Sequence, residues 1–106
     1  MSTAVRITGL VASSRKYSDT RGQAVHELLL TQGPESLPFL VRRCFGGTAT
    51  SHFVALGLER DYRPGQHATA TGRAIRFDRT RQLLVLEQPD HLEPHTPEQP
   101  LDAVPA

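Results

Sequence analysis

The sequence predicts an all-β domain of five short strands, with one short helix between the third and fourth. Three observations carry that reading. Apolar and polar residues alternate in short runs, as in Val5–Val11 and His67–Gly72, and a period of two belongs to a strand with one buried face. The runs are separated by turn signals such as Gly33–Pro34 and Pro64–Gly65. After Gly46–Gly47, a Thr that can cap a helix precedes apolar residues spaced three and four apart.

The first strand, Val5 to Ala12, sets Val5, Ile7, Gly9 and Val11 on one face, and the mid-strand Gly9 predicts a bend or bulge. Ser13 to Gly22 is polar and reads as a basic loop holding Arg15, Lys16, Tyr17 and Arg21. Gln23 to Gln32 has the propensity of a helix, but its length and flanking turn residues suit a strand equally. A further strand at hairpin distance decides for a strand, with Leu28 and Leu30 facing the core and Glu27 and Leu29 opposite. The third strand is PFLVRRCF, Pro38 to Phe45. Alternation sets Phe39, Val41, Arg43 and Phe45 on one side and points Arg42 inward beside Leu40 and Cys44. A helix capped by Thr48 or Thr50 then runs to about Leu58, pairing Phe53 with Leu56 and Val54 with Leu58. Tyr62 falls in the turn that follows. Gln66 to Phe77 is the fourth strand, Asp78 to Arg81 a charged hairpin tip, and Gln82 to Glu87 the last strand. From Gln88 the chain holds five of its eight prolines and little to bury, which predicts disorder. The expected organisation is thus a domain over 1–88 and a disordered, acidic, proline-rich tail over 89–106.

At 106 residues, 38% hydrophobic and 22% charged, this is the composition of a single soluble domain with a modest core. No apolar run reaches membrane-spanning length. The N-terminus has no signal pattern, and a cytoplasmic protein without membrane contact is expected. Cys44 is the sole cysteine, so no disulfide or cysteine-based zinc site can form within the chain. His91 and His95 lie in the proline-rich tail, and no metal or other cofactor is expected. No nucleophile–base pattern or phosphate-binding glycine loop is present, which argues against an enzyme. Charge is unevenly spread. Residues 1–86 hold all twelve Lys and Arg and six of the eleven acids, a net +6, while the remainder holds five acids and no Lys or Arg. A basic body predicts a polyanionic partner, and eleven of the twelve cations are arginines, suited to phosphate forks and to stacking.

Phe39 and Phe45 on one strand face, with Arg43 between them, have the make-up of a platform for stacked bases and bound phosphate, or else of two core residues. The strand–strand–strand–helix–strand–strand order is that of the OB-fold, a partly open five-stranded barrel that binds oligonucleotides. In the same order, the sequence resembles the bacterial single-stranded DNA-binding proteins and the related primosomal replication protein N. The likeness covers residues 5 to about 90. It rests on V-x-I-x-G-x-V at Val5–Val11, AVHELLL from Ala24, the Phe45–Gly46 strand end with Phe39 six residues earlier, Thr71–Gly72–Arg73, and LLVLE from Leu83. The chain departs from the family in lacking Trp, and its LDAVPA end fits the primosomal relative better.

The resemblance implies a non-catalytic single-stranded DNA-binding protein, with RNA as the alternative strand, acting as a replication, primosome or recombination accessory. It also implies a homodimer or homotetramer, most simply through first-strand pairing, and replication proteins as partners. Phe39, Phe45 and Phe77 would stack bases. Arg43, Arg15, Lys16, Arg21, Arg73, Arg76, Arg79 and Arg81 would line a phosphate groove, to which Arg6 also belongs by charge, and Tyr17 would stack or pack on the barrel rim. The competing class is an OB-fold assembly module with Phe39 and Phe45 in a subunit interface.

Overall fold

The computed structural model describes residues 3–95. Along the chain come β1 (Val5–Ser18), β2 (Ala24–Thr31), β3 (Phe39–Cys44), α1 (Ala49–Asp61), β4 (His67–Gly72), β5 (Ala74–Asp78), β6 (Leu83–Glu87) and β7 (His91–His95). The strands make one sheet ordered β5-β6-β3-β2-β1-β4-β7. Every neighbouring pair is antiparallel except β3 and β6.

The mostly-β class and the helix between the third and fourth strands agree with the expectation. The strand count does not: the described residues form seven strands rather than five, and the hydrogen-bond ladder is open. The expected strand Gln66–Phe77 is split at Arg73, because β4 pairs with β1 whereas β5 pairs with β6 on the far side of the sheet. Only Arg73 separates β4 from β5, so the sheet curls until its two sides are joined through the chain itself. Gly72 sits at this corner, where an added Cβ would lie 2.9 Å from Leu86 Cδ1 and 3.2 Å from Pro89 Cα.

The seventh strand comes from the segment expected to be disordered. His91–His95 pairs with β4, Ala68 opposite Pro94, and Leu92 packs on the core. Pro94 reads as a strand breaker, but β7 is an edge strand, where a missing N–H is tolerated. The expectation of disorder for 96–106 lies outside the described residues.

Three further corrections concern the sequence pattern. β1 runs to Ser18, so Arg15, Lys16 and Tyr17 stand on a strand and not in a loop. The hairpin turn is confined to Asp19–Gln23, whose Asp19 side chain accepts from the backbone N–H of Arg21 and Gln23, both at 2.9 Å. The bulge predicted near Gly9 falls at Ala12, between Val11 opposite Leu30 and Ser13 opposite Leu29. Gly9 is needed for a different reason: a Cβ there would meet the Thr31 carbonyl oxygen at 2.8 Å.

The core lies on the inner face of the curl. Val5, Ile7, Gly9 and Val11 face inward with Ala68, Ala70 and Gly72, which matches the alternation of both strands. Leu28 and Leu30 join them, and so do Phe39 and Val41. Thr48 caps α1 by accepting from Ser51 N–H at 3.1 Å. The helix packs on β1 and β2 through a different stripe from the expected one. Ala55 is buried, Leu58 is half-buried, and Tyr62 at the C-cap enters the core, whereas Phe53 and Val54 face solvent. Tyr62 is thus a core residue and not merely part of a turn. No helix among the described residues is long and apolar enough to cross a membrane.

Candidate nucleic-acid interface

On the outer face, the strand registers align charges of alternating sign. Arg15 of β1 lies opposite Glu27 of β2, which lies opposite Arg42 of β3, which lies opposite Glu87 of β6. Opposite charges facing each other across strands stabilise a sheet by about 0.2–1 kcal/mol per pair. One row along, Leu29, Leu40 and Val85 align in the same way and form a second apolar cluster with Leu83. Arg42, which strict alternation from the sequence pointed inward, is therefore on the outer face. The assignment of faces on β3 is the reverse of that expected.

Glu27 is the centre of this ladder and is only 3% exposed. The Tyr17 hydroxyl donates to its Oε2 at 2.8 Å. Arg81 donates through Nη1 to Oε1 at 3.2 Å and through Nη2 to Oε2 at 3.4 Å. Arg15 lies 3.4 Å from Oε1 and Arg42 Nε 3.6 Å from Oε2. Burial pushes the Glu27 pKa up, but the hydrogen bonds of Arg81 and Tyr17 and the nearby arginine charges outweigh it, leaving the carboxyl below its usual range. Burial, then the bond to Glu27, raises the Tyr17 phenol. Glu87 is divided between Arg42 at 3.3 Å and Arg76, whose Nη2 donates at 2.8 Å.

These contacts redistribute the expected groove. Arg15, Arg76 and Arg81 stand in ion pairs, and Tyr17 bonds Glu27 while the Arg15 guanidinium sits 4.8 Å from its ring centroid. Phe39 lies in the core at 8% exposure, between Leu30 and Leu84 in the register, which corrects its expected role as a stacking residue. It sits at the start of β3, on the inner face that packs into the core cluster.

Among the described residues, Arg6, Lys16, Arg21, Arg43, Arg73 and Arg79 have no carboxylate within ion-pair distance. Arg43 is half-buried, opposite His26 on β2, and its guanidinium lies 5.4 Å from the centroid of the half-buried Phe45 ring. Phe45 N–H donates to Ala24 at 2.8 Å, and Gly46 O accepts from Ala24 N–H at 2.9 Å. The His52 ring is 3.0 Å from Gly22 O. These bonds gather the β1–β2 turn with Arg21, the end of β3 and the start of α1, which carries Phe53, 75% exposed. Sequence reasoning missed Phe53 as a surface aromatic. The signal was the stripe Ala55–Leu58–Tyr62, whose spacing turns Phe53 outward.

Phe77 and Arg79 belong to a second group, on the β5–β6 hairpin. Phe77 ends an inner-face row, Leu30–Phe39–Leu84–Phe77, that begins in the core and emerges at the edge with Phe77 45% exposed. Because β3 and β6 are parallel, this hairpin's tip lies by the start of β3, the end away from Phe45. Arg73 occupies the corner between β4 and β5. Arg6 lies apart, lining an open cavity of about 300 Å³ with Thr69, Thr71, His91 and Glu93.

Beneath Arg43, His26 is fully buried. Its Nε2 is 2.9 Å from the Ser14 hydroxyl, and its Nδ1 has no partner. Burial, opposed by Glu59, lowers its pKa to about 4.

A curled sheet with this strand order and a helix after β3 is the oligonucleotide/oligosaccharide-binding fold of the bacterial single-stranded DNA-binding proteins. Among solved structures, the chain is similar to the second single-stranded DNA-binding protein, SSBb, of Mycobacterium smegmatis, with a TM-score of 0.61 and 11% identity over 100% of both chains. It is also similar to the small single-stranded DNA-binding protein of Streptomyces coelicolor, with a TM-score of 0.54 and 14% identity over 92% of this chain and 97% of that one. No protein-family model and no curated protein matches the sequence. At such identities the likeness is one of fold.

Proposed function

We propose that this protein binds single-stranded DNA without catalysis, as an accessory to replication, priming or recombination. The observation that carries the reading is the Arg43–Phe45 pair: a cation with no carboxylate partner among the described residues, held against an aromatic ring at the end of β3. Stacking on an aromatic combined with a cation for the backbone is how such folds hold a strand without sequence preference. Two patches would hold the strand, one at each end of β3: Arg43 and Phe45 with Arg21, Lys16 and Arg73 near by, and Phe77 with Arg79 on the β5–β6 hairpin. A six-residue strand spans about 20 Å. That suits the lower end of the ~4–16 nucleotides an OB-fold covers. RNA is the alternative strand. The first strand leaves Val5–Thr8 without a ladder on the side away from β4, an edge fit for pairing with a second copy into a homodimer or homotetramer.

Titration of labelled oligo-dT and oligo-U across salt concentrations tests this reading. Binding whose logarithm falls linearly with log salt supports it. No binding at low salt favours the second reading, an assembly module. That reading draws on Ile75 and Phe77, exposed on the edge strand β5.

A further inference from the structure

We infer that Glu27, through Arg81, is a positioning residue for the nucleic-acid interface: it holds the β5–β6 hairpin so that Phe77 and Arg79 stand in place before a strand arrives. The inference rests on the binding function proposed above. The inner strand β6 is fixed by its ladder to β3 and by Val85 and Leu86 in the core, but the outer strand β5 and the tip are held less. β5 is an edge strand of five residues, exposed from Ala74 to Phe77 and, among the described residues, laddered only to β6, with Arg76 bridging to Glu87. Its tip is a small closed unit. Asp78 Oδ1 accepts from the backbone N–H of Thr80 at 3.0 Å and of Arg81 at 3.1 Å, while Arg81 Nε donates to Oδ2 at 3.2 Å. The same guanidinium then reaches across the sheet and forks onto both oxygens of Glu27. Phe77 immediately precedes Asp78 and Arg79 immediately follows it, so both ride on the unit that Arg81 ties down.

A buried carboxylate makes this a firm anchor. Glu27 is 3% exposed, and its Oε2 is also bonded by Tyr17. Charge-assisted, bidentate arginine–carboxylate bonds are the strongest and most directional of the side-chain bonds. The geometry also assigns opposite roles to two arginines two residues apart. Arg81 spends its donors on Asp78 and Glu27, whereas Arg79 has no carboxylate partner among the described residues. Ordering a hairpin in advance lowers the entropy lost on binding.

The test is oligo-dT affinity over a range of salt for the wild type, Glu27→Gln, Arg81→Gln, Arg81→Lys and Arg79→Gln, with amide hydrogen exchange of residues 74–83. Glu27→Gln and Arg81→Gln should each weaken binding about five- to tenfold at every salt concentration, leave the salt slope unchanged, and speed exchange in the hairpin. Arg81→Lys, which keeps one charged bond, should recover part of both losses. Arg79→Gln should instead lower the slope by about 0.7, one phosphate on a single strand, without changing exchange. A slope that falls equally for Arg81→Gln would make Arg81 a phosphate ligand and overturn the inference. Tighter binding by Glu27→Gln would also overturn it, since Glu27 would then only withhold arginines from the strand. A wild-type protein that binds neither oligo-dT nor oligo-U removes the binding function, and the exchange arm still decides whether Glu27 holds the hairpin.

Discussion

Arg42 and Arg43 are adjacent on β3 and belong to different parts of the molecule. Arg42 points outward into a ladder of fixed partners, between Glu27 at 3.6 Å and Glu87 at 3.3 Å. Arg43 points to the inner face, with Phe45 as its neighbour and no carboxylate within ion-pair distance among the described residues. The same division runs through the sheet: Arg15, Arg76 and Arg81 fall with Arg42, and Lys16, Arg21, Arg73 and Arg79 with Arg43. The contrast teaches that a net charge of +6 over residues 1–86 is not a measure of the charge available to a polyanion. Cations paired with carboxylates across the sheet, Glu27 above all, are already engaged and should contribute less to phosphate binding than the rest.

The largest effects should come from breaking the ladder at its centre or the core at its rim. Glu27→Ala leaves three guanidinium groups and the Tyr17 hydroxyl without their shared acceptor, and removing one partner of a buried ion pair costs about 3–5 kcal/mol. Denaturant unfolding of this variant should show that loss, with Arg42→Gln losing less because Arg42 is partly exposed. A loss below about 0.5 kcal/mol for Glu27→Ala, the level of ordinary surface changes, would mean that the ladder carries no structural weight.

Phe39 and Phe45 sharpen the comparison from the aromatic side. Phe39→Ala opens a cavity beside Leu30 and Leu84 and should cost about 3–5 kcal/mol of stability, with little change in affinity for the fraction that folds. Phe45→Ala should show the converse, keeping most of its stability while oligo-dT binding weakens by about 1–3 kcal/mol if the ring stacks one base. Exchanged outcomes would return the stacking role to Phe39.

How far the sequence revealed this arrangement depends on where each decisive interaction is made. A threonine cap at Thr48 or Thr50, the alternation of Ala68, Ala70 and Gly72 against Thr69 and Thr71, and the inward Leu28 and Leu30 were all legible, because each rests on neighbours within a few residues. The face of β3 was not. Two phenylalanines and two arginines in PFLVRRCF fit either orientation, and what decides is that Glu27 and Glu87 lie beside Arg42 in the register. Glu87 is 45 residues away along the chain. From the sequence β1 ends at Ala12, because SSRKYS is polar on both faces, yet there one face pairs its charges with Glu27 and the other lies by the end of α1, where Ser14 and the Lys16 N–H bond Glu59. β7 was missed because acids and Pro94 are poor strand formers, although an edge needs only one pairing side.

Acid should separate the two regions without any mutation. His26 lies under Arg43, bonded to Ser14 and facing the Tyr62 ring, with the charges of Glu59, Arg43 and Glu27 around it. Unfolded, a histidine titrates near 6.5, whereas folded His26 titrates at about 4. Its contribution to stability is therefore complete above pH 6.5 and is lost as pH falls toward 4, by about 3 kcal/mol in all. Glu27, held below the usual carboxylate range, resists protonation further into acid than an ordinary carboxylate. Unfolding curves between pH 7 and pH 4 should fall for the wild type and flatten for His26→Gln. An unchanged slope in that variant would place the titration elsewhere.

The most direct measurement compares Arg42→Gln with Arg43→Gln in the salt dependence of oligo-dT binding. Arg43→Gln should lower the slope of log affinity against log salt by about 0.7, the share of one phosphate on a single strand, and leave unfolding little changed. Arg42→Gln should leave the slope at the wild-type value and lose stability instead. Equal reductions in slope for the two variants would mean that the ladder gives up its arginines to the strand, and the division between the two faces would fall.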